Sequence, residues 1–190
     1  GAEIEFIHLL DWDIQYCSGC VACSRGLVMG KGMICSRQDD FKAFYEKVIE
    51  ADGVLFVDPI FESGATGLYH SITDRMGPGH DTGMMKMLDG KLKEAGKEGL
   101  NPRYFRQKAL SFVGIGGSDW AVRCETDHAM FALSPGWKVV NNEFFSWCKD
   151  VIMQDDKVER MKEIGRNLVD AVQQIIDEDM QIEGSEHTSL

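Results

Sequence analysis

Apolar positions along the chain follow two patterns, one with the period of a helix and one with the continuous character of a buried strand. Between 41 and 49 the apolar residues fall at i, i+3, i+4, i+7 and i+8, which predicts a helix opened by Asp39 and Asp40. The next run, 54–57, is apolar throughout and ends at Asp58. Such a run predicts a parallel strand that is buried on both faces.

The same two patterns recur along the rest of the chain, with two interruptions. Residues 17–37 are rich in Gly, Ser and Cys and show no period, which predicts a long loop of the kind that usually carries function. Residues 77–107 break the alternation with a Gly-rich stretch and a helical segment at about 84–96, which indicates an insertion. Further strands are predicted at 1–10, 109–115 and 137–140, and further helices at 68–76, 121–133 and 158–183.

Alternation of strands and helices of this length predicts a doubly wound parallel sheet with helices on both faces, a three-layer α/β/α fold. We expect one domain over 1–183 and a mobile tail at 184–190. Ligands of such sheets bind beyond the carboxyl ends of the strands. The loops that follow predicted strands, 11–37, 58–67 and 116–120, are therefore the places to search for a site.

The composition narrows the classes of partner. The 190 residues carry a formal net charge of −11, which argues against nucleic acid and anionic membrane surfaces as partners, because both attract basic patches. The longest apolar runs have strand length, well short of the roughly 20 residues of a membrane span. Six cysteines in a chain of this length are not typical of a secreted disulfide framework, so we expect a soluble cytoplasmic protein.

The loop after the predicted strand at 54–57 combines an aromatic residue with several small ones. Small residues let the backbone approach the edge of a flat ring, where N–H groups can bond to ring acceptors. The loop at 116–120, Gly-Gly-Ser-Asp-Trp, also follows a strand and could flank the same ring. Each segment alone is also compatible with an ordinary turn.

Taken in order, these segments resemble the flavodoxin-like family of NADPH-dependent FMN reductases and iron-sulfur flavoproteins. The resemblance implies a flavodoxin-like fold, bound FMN, NADH or NADPH as hydride donor, and a small-molecule or protein electron acceptor. It also implies a homodimer or larger assembly and requires no protein nucleophile or base. It is carried by Cys17-Ser-Gly-Cys20-Val-Ala-Cys23, Asp39-Asp40-Phe41, Ala51-Asp52-Gly53, the Pro59-Ile60-Phe61 loop, Asp74-Arg75 and Gly116-Gly117. By position, the residues implied to line the flavin are Pro59, Ile60, Phe61, Glu62, Ser63, Thr66, Gly116 and Gly117.

The beginning of the family pattern has no counterpart in this sequence. Members begin with a strand, a Ser/Thr-rich phosphate-binding turn and a helix, and this chain starts at Gly1, where that helix should end. The FMN phosphate ordinarily rests on N–H groups at the amino end of that helix. We therefore expect the first strand and the phosphate loop to be absent from the given sequence.

The cysteines leave three alternatives open. Three of them are spaced three residues apart, and a fourth follows at a longer interval than in related iron-sulfur flavoproteins. They could hold a [4Fe–4S] cluster, a zinc ion or no metal at all. The predicted ligands are Cys17, Cys20, Cys23 and Cys35.

Two other residues of metal-ligand type, Cys124 and His128, share one face of a predicted helix at i and i+4. With no third ligand identifiable, they are interpreted as packing residues.

Three functions follow from these alternatives. The first is an NAD(P)H-dependent FMN oxidoreductase that reduces flavins or quinones. The second is an iron-sulfur flavoprotein that transfers single electrons between FMN and a [4Fe–4S] cluster. The third is a flavin-free relative that serves as a binding domain.

Overall fold

The computed structural model describes residues 1–29, 35–77, 82–117, 122–133, 135–146 and 154–186. It forms two compact units. The helical unit comprises Gly1–Ala51, Ala65–Arg106 and Leu133–Gly136, and the sheet unit comprises Asp52–Gly64, Gln107–Ala132 and Trp137–Leu190. A single domain over 1–183 stays a prediction.

The described part of the helical unit holds four α-helices, α1 (Ala22–Val28), α2 (Phe41–Glu50), α3 (Gly67–Met76) and α4 (Thr82–Glu94). The periodic pattern of α2 is confirmed, because all five of its predicted apolar positions are buried. Thr66 caps the amino end of α3, and its hydroxyl accepts a hydrogen bond from the N–H of Tyr69 at 3.2 Å. Helix α4 lies within the predicted insertion and buries Met85 and Leu88.

Among its described residues, the sheet unit contains three parallel strands in the order β1 (Gly53–Pro59), β2 (Ala109–Gly116) and β3 (Lys138–Ser146). Helices α5 (Val122–Leu133) and α6 (Asp155–Glu186) complete it. The predicted strands at 54–57 and 109–115 and the helices at 121–133 and 158–183 are thus confirmed. Of the predicted tail, 187–190 lie outside the described residues and 184–186 belong to α6.

The central strand β2 is buried on both faces, and successive side chains contact different helices. Ala109 packs with Ala171 and Ile175 of α6. On the other face, the ring of Phe112 stacks on His128 of α5 with centroids 4.8 Å apart. Since side chains alternate across a strand, α5 and α6 cover opposite faces. This arrangement confirms the expected parallel α/β architecture with helices on both sides of the sheet.

Strand β1 is buried on one face only, so the prediction of two buried faces is wrong. Phe56 and Asp58 are buried beneath α5, whereas Leu55 and Val57, on the opposite face, are exposed. On that face, helix α6 packs mainly on β2 and β3 and reaches β1 only near Gly53. A Cβ added to Gly53 would lie 2.7 Å from the side chain of Val172. Within the described part of the sheet unit, no other helix covers Leu55 and Val57.

Three other expectations from the sequence are corrected. Residues 1–8 form no strand, because no described strand offers its backbone for pairing with them. A 3-10 helix follows them at Leu9–Asp11. The predicted loop at 17–37 contains the seven-residue α1. Strand β3 extends to Ser146, well beyond Val140, because its backbone stays paired with β2 over this length. The polar side chains at 141–143 interrupt the apolar run from which the end of the strand was predicted.

Among the described residues, no helix has the length and apolar content required to cross a membrane.

Candidate functional site

Two of the predicted loops leave the carboxyl ends of neighbouring strands. Pro59 of β1 pairs with Ile115 of β2, so the segments after them begin side by side. The N–H of Ile60 donates to the carbonyl of Ile115 at 2.8 Å, which extends the ladder by one bond. The structure therefore brings the segment at 59–63 beside Gly116 and Gly117, as the sequence predicts for one site.

The loop after β1 closes in a tight turn. The N–H of Gly64 donates to the carbonyl of Phe61 at 3.1 Å, and the two residues form an isolated bridge. Between them, Glu62 and Ser63 have positive φ values of 49° and 64°. Non-glycine residues in this conformation cost roughly 1–3 kcal/mol and cluster at ligand-binding sites. The strained turn is thus independent support for a functional loop.

Helix α5 fixes the far side of this turn. The N–H of Cys124 donates to the carbonyl of Ser63 at 3.1 Å, so a residue in the first turn of the helix holds the loop. The guanidinium of Arg123 lies alongside Gly64, where a Cβ would be 3.3 Å from its Nε. Arg123 was missed in the sequence because nothing local distinguishes it from other exposed arginines on helices.

Gly116 and Gly117 differ in what surrounds them. A Cβ on Gly116 would lie 3.2 Å from the Cβ of Ile60 and 3.4 Å from the ring of Phe144, so this glycine allows the loop to approach β2 closely. No described atom lies within 4 Å of the corresponding position on Gly117. The side chain of Phe61 is 69% exposed. Small backbone positions beside an exposed aromatic ring fit a flat ligand.

For the other predicted site residues, the structure does not test a position beside the ring. Thr66 caps α3 in the helical unit, so its hydroxyl has a structural task, and its position beside a ring stays a prediction. Ser118, Asp119 and Trp120, the end of the second loop, lie outside the described residues.

The predicted metal-ligating cysteines are all free thiols in the helical unit. Cys17 and Cys20 are exposed, and Cys23 and Cys35 are half-buried. In the part of the chain that the structure describes, they are not gathered closely enough to hold a single ion. Their role as ligands stays a prediction.

The surroundings of Cys20 favour its thiolate. Hydrogen bonds from the backbone of Ala22 and from the hydroxyls of Ser36 and Ser18 lower its pKa from 9.0 to about 7. The Cys20 sulfur lies 3.6 Å from the hydroxyl oxygen of Ser36. A substantial fraction of Cys20 is therefore thiolate near neutral pH, which is the form that binds metals.

A buried ion pair anchors the start of the cysteine segment. The Arg75 guanidinium donates to Asp39 Oδ1 at 2.7 Å and to the carbonyl of Gln15 at 2.9 Å. Asp39 Oδ2 also accepts the N–H of Gln15 at 3.0 Å, and both charged side chains are fully buried. The hydrogen bonds from Arg75 are the main reason that the pKa of Asp39 falls from 3.8 to about 2.

A family model described as NADPH-dependent FMN reductase matches residues 1–150. An iron-sulfur flavoprotein of Archaeoglobus fulgidus is 30% identical over 121 residues, covering 64% of this chain and 50% of that protein. An iron-sulfur flavoprotein of Clostridioides difficile is 35% identical over 74 residues, covering 38% of this chain and 30% of the other. The chain thus spans half or less of these curated relatives.

Solved structures agree on the architecture. A flavone reductase superimposes with a TM-score of 0.78 at 39% identity, covering 92% of this chain and 54% of that chain. An NADH:FMN oxidoreductase in its apo form superimposes with a TM-score of 0.52 at 19% identity, covering 86% of this chain and 70% of the other. The second likeness shows the fold alone, which is the flavodoxin-like α/β fold expected from the sequence.

Proposed function

Because this chain belongs to the family of NADPH-dependent FMN reductases, we propose that it binds FMN at the carboxyl ends of β1 and β2 and acts as an NAD(P)H-dependent oxidoreductase. One observation carries the proposal. The segment at 59–63 and the pair Gly116 and Gly117 leave adjacent parallel strands. The hydrogen bond from Ile60 to Ile115, the residue before Gly116, holds the two segments side by side. Ligands of doubly wound sheets bind at this edge.

The protein residues bind and orient the ring. Backbone groups at 60–63 lie in a turn that is fixed at one end by Ile115 and at the other by Cys124, so their directions are set before a ligand arrives. Gly117 leaves open surface, and Phe61 supplies an exposed apolar face. When bound, FMN itself supplies the hydride and electron chemistry. We therefore assign no side chain as nucleophile or general base.

We further propose that the acceptor is a flat aromatic small molecule of the flavone type. The 39% identity to a flavone reductase supports this acceptor class. The exposed ring of Phe61 supports it independently, because an aromatic face at the mouth of a cofactor site can stack on a planar substrate. We also infer a cytoplasmic, homo-oligomeric protein, and the free thiols of the described cysteines are compatible with a reducing compartment.

The test uses the full-length protein reconstituted with FMN. We expect one FMN per chain and oxidation of NADPH or NADH that depends on an added flavone. Flavin content is measured from the visible spectrum after removal of free FMN, and turnover is followed as loss of nicotinamide absorbance. A folded protein that binds no FMN would contradict the proposal and favour the flavin-free binding domain.

A second function is supported by the cysteine segment. The lowered pKa of Cys20 favours the thiolate required of an iron-sulfur ligand, and relatives at 30–35% identity are named iron-sulfur flavoproteins. In that alternative, Cys17, Cys20, Cys23 and Cys35 hold a [4Fe–4S] cluster that passes single electrons to a partner.

Replacing Cys20 with serine separates the two functions. If the cluster exists, Cys20→Ser removes most of the iron and acid-labile sulfide from anaerobically purified protein, because a hydroxyl is a poor replacement for a thiolate ligand. FMN content should not change, since the flavin contacts lie in other loops. Cys148→Ser, outside the predicted ligand set, is the matched control. Wild-type protein without iron would eliminate the electron-transfer function and leave the reductase.

A further inference from the structure

One arginine lies against the turn that we assign to the FMN ring. Arg123 is in the first turn of α5, and its side chain runs along Gly64. A Cβ on Gly64 would lie 3.3 Å from Arg123 Nε and 3.5 Å from its Cδ and Cζ. We propose that Arg123 stabilises the reduced form of FMN at this site and so raises its reduction potential. The inference rests on the proposed function, because it requires FMN at this turn.

The backbone next to Arg123 is fixed to the same turn. The N–H of the following residue, Cys124, donates to the carbonyl of Ser63 at 3.1 Å, and Cys124 is buried. Because Gly64 has no side chain, Nε and Cζ of Arg123 approach its backbone closely. The positive charge therefore has a defined position beside the turn before a ligand binds, so little free energy is spent on ordering it.

The charge of Arg123 is not committed to another described side chain. Arg123 is exposed, and among the described residues no ion pair joins it to Glu62, the acidic residue of the same turn. Arg75, by contrast, is buried in its ion pair with Asp39. A guanidinium presents five N–H donors in a planar fork and keeps its charge at any ordinary pH. Arg123 can therefore offer both a fixed charge and hydrogen bonds to a ligand.

Acidic residues near the turn make a positive charge there more significant. Asp58 is the penultimate residue of β1 and is buried, and Glu62 is exposed within the turn. The whole chain has a formal net charge of −11. These groups repel a ligand that gains negative charge at this edge of the sheet unless a cation lies close to it. Arg123 supplies that cation.

The oxidised and reduced forms of the flavin ring differ in charge. A nicotinamide donor transfers a hydride, which is two electrons with one proton, to the ring and leaves as the oxidised nicotinamide. The neutral ring thereby gains one negative charge, which it keeps until it takes up a proton from solvent. A cation beside the ring lowers the free energy of the charged form and hardly changes that of the neutral form. Such a difference in affinity between the two forms is a shift in reduction potential.

The Arg123→Gln variant should bind oxidised FMN nearly as tightly as wild type and reduced FMN about tenfold more weakly, since an exposed charge is partly screened by solvent. For a two-electron couple, a tenfold ratio corresponds to a fall of about 30 mV in the reduction potential. Arg123→Lys keeps the charge and should retain most of the wild-type potential. The matched control is Arg166→Gln, which removes an exposed arginine from α6, on the opposite face of β2. It should leave the potential unchanged.

The test uses the full-length protein reconstituted with FMN, at low ionic strength so that salt does not screen the charge. The reduction potential is measured anaerobically by equilibration with a reference dye of known potential. The affinity for oxidised FMN is measured by quenching of flavin fluorescence, and circular dichroism verifies the fold of each variant. If Arg123→Gln does not retain FMN, Arg123→Met, which keeps an unbranched stem along Gly64, replaces it.

Equal potentials in wild type and Arg123→Gln, with FMN bound in both, would overturn this inference and leave the proposed function intact. The same holds if both redox forms lose affinity equally, because Arg123 would then only pack against the turn. An equal fall in potential in Arg123→Lys and Arg123→Gln would also overturn it, since the charge would not be the cause. Wild-type protein that binds no FMN would contradict the proposed function itself, and this inference with it.

Discussion

Replacing Gly117 with tryptophan will prevent FMN binding and leave the protein folded. No described atom lies within 4 Å of a Cβ at this position, and its φ lies outside the left-handed region, so no described group obstructs a larger side chain. The indole would occupy the open surface beside the 59–63 loop that we assign to the flavin ring. We expect FMN affinity to fall by about 100-fold, which corresponds to ~2.8 kcal/mol.

The control for this variant is the same substitution at Gly165 in α6. No described atom lies within 4 Å of its Cβ position either, and it belongs to the same unit. FMN titrations of both variants and of wild type, followed by quenching of flavin fluorescence, give the comparison. Wild-type affinity in Gly117→Trp would show that the ring loop has been assigned to the wrong edge of the strands.

Gly117 is a better probe of the site than Thr66. Thr66 caps α3 through its hydroxyl, so a bulky replacement there would remove a cap worth about 1 kcal/mol and mix a loss of stability with a loss of binding.

The Asp39→Asn variant will lose about 3–5 kcal/mol of unfolding free energy, because it leaves the Arg75 guanidinium buried without its counterion. The variant keeps the size of the side chain and removes its charge. Urea unfolding of the full-length protein at neutral pH measures the loss. The matched control is Glu46→Gln, since Glu46 forms an exposed pair with Lys42 at 3.7 Å and should cost less than about 1 kcal/mol.

The same ion pair predicts a pH dependence with a definite sign. The folded-state pKa of Asp39 is about 2, below its ordinary value of 3.8. A carboxyl whose pKa is lowered by folding stabilises the protein above its ordinary pKa, and this contribution disappears as the pH falls from about 4 towards 2. The difference in stability between wild type and Asp39→Asn should therefore shrink over this range. A constant difference would contradict the assigned pKa.

The sequence by itself predicts the elements that have a clear local pattern of apolar residues, either periodic or continuous. The spacing in 41–49 predicts α2, and all five apolar positions are buried. The apolar run at 109–115 predicts β2, the most buried strand. The carboxyl-end loops at 59–63 and 116–117 follow from the order of these elements, because parallel strands bring their ends to one edge. For the same reason, the family resemblance could be recognised from the order of short segments.

Tertiary contacts decided the features that depend on distant partners. Residues 1–8 have an apolar pattern suited to a strand, but a strand also requires a neighbour's backbone, and none is paired with them in the described structure. Asp39 has the sequence context of a helix-starting acid, yet its partner Arg75 lies 36 positions away. These contacts carry no local period from which they could be predicted.

In the buried cluster of Asp58, Cys124 and His128, the sequence predicts one contact and only the tertiary structure reveals the other. The sequence alone places Cys124 and His128 on one helix face, because a spacing of four residues is a property of the helix. It assigns Asp58 only to the end of a strand, 66 positions before Cys124. Pairing of β1 with β2, and packing of α5 over that face, bring the carboxylate to the imidazole. That encounter depends on the path of the chain between them, which only the folded structure specifies.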